Sequence, residues 1–450
     1  MLFALGIYGS AELAGMPAHD GARLSQLMVL LLSALFSGTG TCYAKDRLIV
    51  TTVAIAMIVG VSSGRWGAME AAHLSSFWCL AVLWMRRLRG YSERHLMTCL
   101  IGLCAAYTLI VLPRWCALVI EGLNFHAREF FPAFSNQRFF GHWVTLSLPL
   151  LVLARDRHRA CPTVGLMLGL LVAFWIAFAI ASGTRGTWLA LALITFALPF
   201  TGTAGKQLAR GMVIAALWGL FTYALMFWCI PLLLSGEASL AGLSRLSEGT
   251  SLSLREVIWS EAWAGIRAHP LIGWGPMMFA TSTSGVAAHP HSLFLQLAYE
   301  WGVPVALGVV WAFVWAGWRQ LQRCRREHDP LRTALLASIS AGLLHAQVDG
   351  LLVMPFGQTL FALLCAWLGS LDVRDVSSAP GSGIGQRAYG VRVLLIALVL
   401  TQLCLSWPEL RRLQTWEEET RAASGVGIYL PRYWLQGLIP AEPQPVFMRP

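Results

Sequence analysis

Apolar runs of roughly 17 to 25 residues recur along nearly the whole chain, separated by short basic clusters. Each run is long enough to cross a hydrocarbon layer about 30 Å thick as an α-helix. Of the 450 residues, 56% are hydrophobic and 12% are charged, whereas a soluble domain carries about 25% charged residues. The sequence therefore predicts an all-α polytopic membrane protein.

We place about twelve transmembrane helices along the chain. Their expected positions are 25–43, 48–64, 67–85, 95–113, 139–154, 161–182, 186–201, 211–234, 291–317, 333–348, 353–371 and 391–407. The Lys and Arg clusters then fall in alternate loops, which the positive-inside rule assigns to the cytoplasm. This distribution accounts for the net charge of +10 without nucleic-acid binding.

The same topology places a long loop, about 235–290, in the periplasm between the eighth and ninth spans. The predicted domains are a single transmembrane helical domain, 1–407, and a periplasmic C-terminal tail, 408–450. The segment 1–24 is apolar but short, so both a span and an interfacial helix stay open for it.

Arginines in the predicted outer loops are unexpected, because such loops are usually poor in cations. Arg185 lies in Ser182–Leu189, a two-glycine break between spans, and we expect the next helix to begin at about Gly186. Free backbone N–H groups and a positive dipole end would then lie beside the guanidinium, as in a phosphate site. Arg138 lies at the outer start of the predicted span 139–154, so it would lie beside a helix N-terminus as well. The alternative is a snorkelling arginine at a helix end.

Leu254–Ala268 has the pattern of an amphipathic helix lying on the membrane surface. Its predicted apolar face consists of Leu254, Ile258, Trp259, Ala262, Trp263 and Ile266. Arg255 falls inside this face, where a cation needs an anionic partner. A lipid-linked pyrophosphate would supply one with bidentate geometry, and an ordinary ion pair is the alternative.

Two histidines lie where the long loop meets the ninth span, in His289-Pro290-His291-Ser292. A neutral imidazole at the water edge can take a proton from a hydroxyl. We expect His291 to be the general base, because it would begin the span directly after Pro290 while His289 lies in looser chain. A capping histidine or half of a zinc site are the alternatives, although the outer loops offer no further cluster of zinc ligands.

His345 and Asp349 are one helical turn apart on the predicted tenth span. An ionisable pair at membrane depth is costly and usually faces a cavity or a partner. The pair either orients the site or simply satisfies its own charges, and the sequence favours neither.

These residues resemble the O-antigen ligase and polymerase superfamily, which includes bacterial protein O-oligosaccharyltransferases. The resemblance runs from about Phe134 to Leu371 and is carried by Arg185–Leu189, His269–Pro276, the His291 block and His345–Pro355. It implies a polyprenyl-pyrophosphate glycan donor, arginines that hold the pyrophosphate, a histidine that activates the acceptor, and no metal or other cofactor. The family often has Asn after that histidine, where this chain has Ser292.

The predicted protein is thus a metal-independent glycosyltransferase of the bacterial inner membrane with its active site facing the periplasm. The first choice of activity is O-antigen ligation to lipid A core. An O-antigen polymerase, which extends a growing glycan, and a protein O-oligosaccharyltransferase stay open because their motifs look alike. From another class, a membrane transporter or lipid flippase would explain the span count, but transporters usually carry repeated halves with broken helices at the midplane.

The expected partners are the lipid-linked donor, the acceptor and membrane lipids. The predicted site has His291 and His289 in catalysis, with Arg185, Arg255 and Arg138 on the donor pyrophosphate. His345 and Asp349 are expected to support it, with no metal ligand.

Overall fold

The computed structural model describes residues 18–36, 46–88, 91–122, 130–132, 134, 136–235, 255–281, 287–374, 389–410 and 433. Within these ranges all regular structure is helical, which confirms the predicted all-α class. The helices are α1 (Ala18–Phe36), α2 (Asp46–Ser62), α3 (Gly64–Leu88), α4 (Glu93–Ile120), α5 (Arg138–Arg157), α6 (Pro162–Ala181), α7 (Arg185–Ala197), α8 (Thr203–Ala224), α9 (Ile230–Ser235), α10 (Arg255–Ala268), α11 (Leu293–Trp301), α12 (Val303–Glu327), α13 (Pro330–His345), α14 (Pro355–Arg374) and α15 (Tyr389–Leu410).

Five helical stretches in the described residues are long and apolar enough to cross a membrane. They are Gly64–Leu88, Glu93–Ile120, Pro162–Ala181, Thr203–Leu234 and Gly390–Pro408. A helix suits hydrocarbon because it satisfies its backbone hydrogen bonds internally. The count of twelve spans and the limits of the 235–290 loop stay predictions. Positions 236–254 of that loop, the segment 1–17 and, apart from Tyr433, the tail from 411 onward lie outside the described residues.

The predicted ninth span, 291–317, is wrong as a single helix. Gly302 separates α11 from α12 with a φ of 85°, a left-handed conformation that favours glycine. A Cβ there would also overlap the backbone of Leu271. The apolar run continues across this break, so hydropathy alone does not reveal it.

The first compact unit comprises the described parts of Leu88–Ser251 and Phe313–Ser377. Its central helix is α5, which is buried continuously from Phe140 to Arg155. The helices α6, α8, α13 and α14 pack around α5. A helix that is covered on all sides carries its polar residues into the core, where each of them needs a protein partner.

The second unit comprises the described parts of Ser10–Arg87, Leu252–Ala312 and Ser378–Pro450. One of its cores joins α1, α2, α3 and α15. The buried Arg23 donates to Gln26 Oε1 (2.6 Å), to His73 Nε2 (2.8 Å) and to the backbone oxygen of Tyr433 (3.0 Å). His73 Nδ1 in turn lies 2.9 Å from Gln402 Oε1. This polar network ties α1, α3, α15 and Tyr433 together inside an apolar core.

Candidate functional site

Arg138 and Arg185 are the first residues of α5 and α7, and the first turns of these two helices pack together. A Cβ on Gly141 would lie 2.6 Å from Thr187 Oγ1 and 2.7 Å from Thr184 Oγ1. The Thr187 hydroxyl donates to the Gly141 carbonyl at 3.0 Å. Two helix N-termini and two arginines thus lie at one end of the first unit, an arrangement that favours anions.

The break before α7 differs from the prediction by one residue. The helix begins at Arg185 rather than Gly186, with Thr184 in an extended conformation before it and Gly183 at a φ of 66°. Arg185 is exposed and Arg138 half-buried. An exposed guanidinium at a helix start can reach a ligand outside the bundle, as the phosphate-binding hypothesis requires.

Directly behind these first turns lies a buried cluster of His142, His345 and Asp349. Asp349 Oδ2 is 3.5 Å from His142 Nε2 and 3.9 Å from His345 Nε2. The two imidazole rings meet edge to face, with centroids 5.0 Å apart. The predicted spacing of one helical turn between His345 and Asp349 is present, since Asp349 N donates to His345 O at 3.0 Å, but α13 itself ends at His345 and Asp349 belongs to the following turn.

Sequence reasoning missed His142, although a signal for it exists. It is an ionisable residue inside the predicted span 139–154, one turn after Arg138, and such residues at membrane depth usually have a function or a partner. Its partners come from a distant part of the chain. Only the packing of α5 against α13 identifies them.

His345 is fixed on both sides of its ring. Its Nδ1 lies 2.8 Å from Thr145 Oγ1, and a Cβ on Gly186 would lie 2.6 Å from its Nε2. Gly186 follows Arg185 directly, so the cluster is in contact with the first turn of α7. The absence of a side chain at Gly186 allows this approach.

In the second unit, the predicted amphipathic helix is present as α10, and most of its predicted apolar face is correct. Ile258, Ala262 and Ile266 are buried, whereas Trp263 is 48% exposed. The face packs against α11 and the turn before it, on Phe279, Leu295, Ala298 and Tyr299. This face is therefore covered by protein. The sequence predicted that it would lie on the membrane surface. Arg255 lies on the same face, one turn before Ile258 and Trp259.

The histidine pair lies directly before α11 and not in its first turn. Ser292 is the N-cap residue, and its hydroxyl accepts from Leu295 N at 3.4 Å. His291 precedes the helix with a φ of 52°, so the expectation that His291 starts the helix is wrong. Serine is a favourable N-cap residue, so Ser292 stabilises the start of α11.

His289 is also less loose than predicted, since it is 7% exposed. Its Nδ1 accepts from the backbone N–H of His291 at 3.2 Å, and the Pro290 carbonyl between them accepts from Trp259 Nε1 at 2.9 Å. A neutral imidazole whose Nδ1 accepts a hydrogen bond carries its proton on Nε2. His289 Nε2 is thereby a hydrogen-bond donor.

The His269–Pro276 segment holds α10 and α11 in place. Trp274 N donates to Tyr299 O and Gly275 N to Glu300 O, both at 2.9 Å. The Trp274 indole donates to the Gly265 carbonyl of α10 at 3.0 Å. The segment thus positions the histidine pair's helix by backbone hydrogen bonds.

We expect Gly186→Ala to destabilise the protein, because the added methyl group would overlap the His345 ring. Overpacking of this kind costs about 1 to 3 kcal/mol. The matched control is Gly102→Ala on α4, where a Cβ meets nothing within 4 Å and higher helix propensity adds up to about 1 kcal/mol of stability. Thermal unfolding of both variants in detergent measures the difference. Equal midpoints for the two variants would contradict the Gly186 contact.

A family model described as O-antigen ligase matches residues 168–310. No curated protein and no solved structure matches the chain. The matched stretch contains Arg185, Arg255, His289 and His291, while Arg138 and the His345–Asp349 pair lie outside it. The resemblance predicted from the sequence is confirmed over this stretch, and residues 168–310 are similar to the O-antigen ligase family, whose members transfer glycans in lipopolysaccharide assembly.

Proposed function

We propose that this protein transfers a glycan from a polyprenyl-pyrophosphate carrier to the hydroxyl of lipid A core, at the periplasmic face of the bacterial inner membrane. The observation that carries the proposal is the O-antigen ligase match. The matched stretch contains two of the predicted donor-binding arginines and both predicted catalytic histidines. The helices long enough to cross a membrane are consistent with a lipid-linked donor.

The reaction needs three things from the protein. The acceptor oxygen attacks the anomeric carbon of the glycan, the bond from that carbon to the pyrophosphate oxygen breaks, and the electron pair leaves with the polyprenyl pyrophosphate. The protein has to position the reactants, stabilise the charge that grows on the leaving group, and accept the hydroxyl proton. Arginine and histidine side chains are sufficient for these tasks, so we propose that the transfer step needs no metal.

We assign the donor pyrophosphate to Arg138 and Arg185 in the first unit. The packed first turns of α5 and α7 add backbone N–H groups and two positive dipole ends to the two guanidinium charges. Each guanidinium also matches two phosphate oxygens at once, which a lysine ammonium cannot do. For Arg255, on the buried face of α10 in the second unit, the pyrophosphate-binding role predicted from the sequence stays a proposal.

We assign the proton to His291 and a positioning role to His289. The His289 ring accepts the His291 backbone N–H, which fixes the left-handed backbone at His291. His291 itself is only partly buried, so an acceptor hydroxyl can approach it. His345 and Asp349 are proposed to support the first turn of α7 and do not contact the substrate.

Deletion of the gene tests the proposed activity. If the protein is a ligase, lipopolysaccharide gels of the deletion strain should show free lipid A core and accumulated polyprenyl-linked polymer. The plasmid-borne gene should restore the full ladder. Core that carries a single repeat would identify a polymerase, and an unchanged ladder would contradict the proposal.

Arg185→Ala and Arg255→Ala should each lower donor affinity or rate by about 10- to 150-fold, because a charge-assisted hydrogen bond contributes about 1.5 to 3 kcal/mol. The corresponding Lys variants should recover little of this loss. The matched control is Arg267→Ala, which removes an exposed arginine from the opposite face of α10. Transfer assays with purified protein give the values. Full activity in both Ala variants refutes the pyrophosphate role.

His291→Ala should still bind donor but lose about 10²- to 10⁴-fold in transfer rate, as is typical for loss of a general base. His289→Ala removes one backbone hydrogen bond and should cost only about 2- to 12-fold. His269→Ala, an exposed histidine of the same unit, is the control. Near wild-type transfer by well-folded His291→Ala would overturn the assignment, and loss in His289→Ala alone would exchange the two roles.

A further inference from the structure

We infer that His142, His345 and Asp349 form a binding site for a divalent transition metal of the zinc class. The site lies in the core of the first unit and goes beyond the proposed glycan transfer, in which it has no chemical step. The metal would join α5 to the end of α13 directly behind the first turn of α7.

The geometry of the three side chains carries this inference. Their ligand atoms all lie within 4.8 Å of one another, and Asp349 Oδ2 is 3.5 Å from His142 Nε2 and 3.9 Å from His345 Nε2. Ligands around a tetrahedral zinc ion lie roughly 3.3 Å apart, given metal–ligand distances near 2.0 to 2.1 Å. Small rotations of the two imidazole rings therefore close the site. Two imidazoles and a carboxylate are a common set of zinc ligands.

The surrounding hydrogen bonds orient the His345 ring for a metal. The Thr145 hydroxyl donates to the Gly141 carbonyl at 2.9 Å, so the 2.8 Å contact with His345 is a donation from His345 Nδ1 to Thr145. His345 Nε2 then carries a lone pair that faces the Asp349 carboxylate. A cation between these two facing acceptors would be stabilised by both of them.

The surroundings of His142 favour a bound metal ion over a shared proton as the group that stabilises the cluster. It is 1% exposed, and among the described residues neither of its ring nitrogens has a hydrogen-bond partner. A proton shared by Asp349 and His345 would give the His345 ring a hydrogen bond but would leave the His142 ring without one. A metal ion would bind one ligand atom of each of the three side chains at once, and its fourth position would be open to water.

Sequence reasoning did not find this site because it looked for zinc ligands in the outer loops. The three ligands come from α5, from the last residue of α13 and from the turn after it. They are brought together by the packing of α5 against α13. The metal would fix this packing in the way that a cross-link does.

A metal-binding measurement tests the inference. It uses the full-length protein, purified through an affinity tag that contains no histidine. After treatment with a chelator, titration with Co²⁺ should give stoichiometric binding and the intense visible absorption of a four-coordinate site. His142→Ala should abolish this absorption. Thr145→Val, which removes the partner of His345 Nδ1, should weaken Co²⁺ binding about 10- to 100-fold.

Controls separate this site from adventitious metal and from unfolding. His95→Ala, on the exposed start of α4, should bind Co²⁺ like the wild type. If His142→Ala does not fold, His142→Gln and Asp349→Asn keep the side-chain volumes and should still lose the absorption. Wild-type protein without Co²⁺ absorption, or folded variants that bind like the wild type, would overturn the inference and leave a protonated cluster. The readout is independent of glycan transfer, so failure of either proposal is visible separately.

Discussion

A polar side chain in the core of an apolar helix bundle costs several kcal/mol unless another protein group pairs with it. Both units of this protein are organised around that constraint. In the second unit, Arg23 is paired with His73, Gln26 and the backbone of Tyr433. In the first unit, Thr145 and Asp349 surround His345. Each network joins segments that are distant in sequence, so it selects one packing among the many that apolar faces alone would allow.

Close helix approach is the second requirement, and at the first turns of α5 and α7 glycine meets it. Gly141 lets the first turn of α5 contact Thr184 and Thr187, and Gly186 lets the first turn of α7 contact His345. A side chain at either position would separate the helices that begin with Arg138 and Arg185. The spacing of the two guanidinium groups therefore depends on residues that have no chemistry of their own.

The sequence predicts the parts of this structure that depend on local pattern. Apolar runs give the helices, and the glycine break at 183 to 186 gives the start of α7 within one residue. The buried face of α10 follows from its 3.6-residue period. The break at Gly302 was missed because hydropathy does not record backbone φ. The helix start was expected at His291, and not after the N-cap Ser292, because Pro290 suggests an earlier helix start. His142 was missed because its partners are set by tertiary packing.

The burial of the cluster and the exposure of Arg185 favour different roles for them in the proposed reaction. His142, His345 and Asp349 are at most 6% exposed, so the proposed lipid pyrophosphate would not reach them, whereas the exposed Arg185 guanidinium would be accessible to it. Electrostatic stabilisation of a leaving group is effective when its donors are held in place before the reaction. A metal in the cluster would contribute by holding the first turn of α7, and with it Arg185, in a fixed position. Its loss would therefore slow transfer by loosening an arginine, without removing any chemical step.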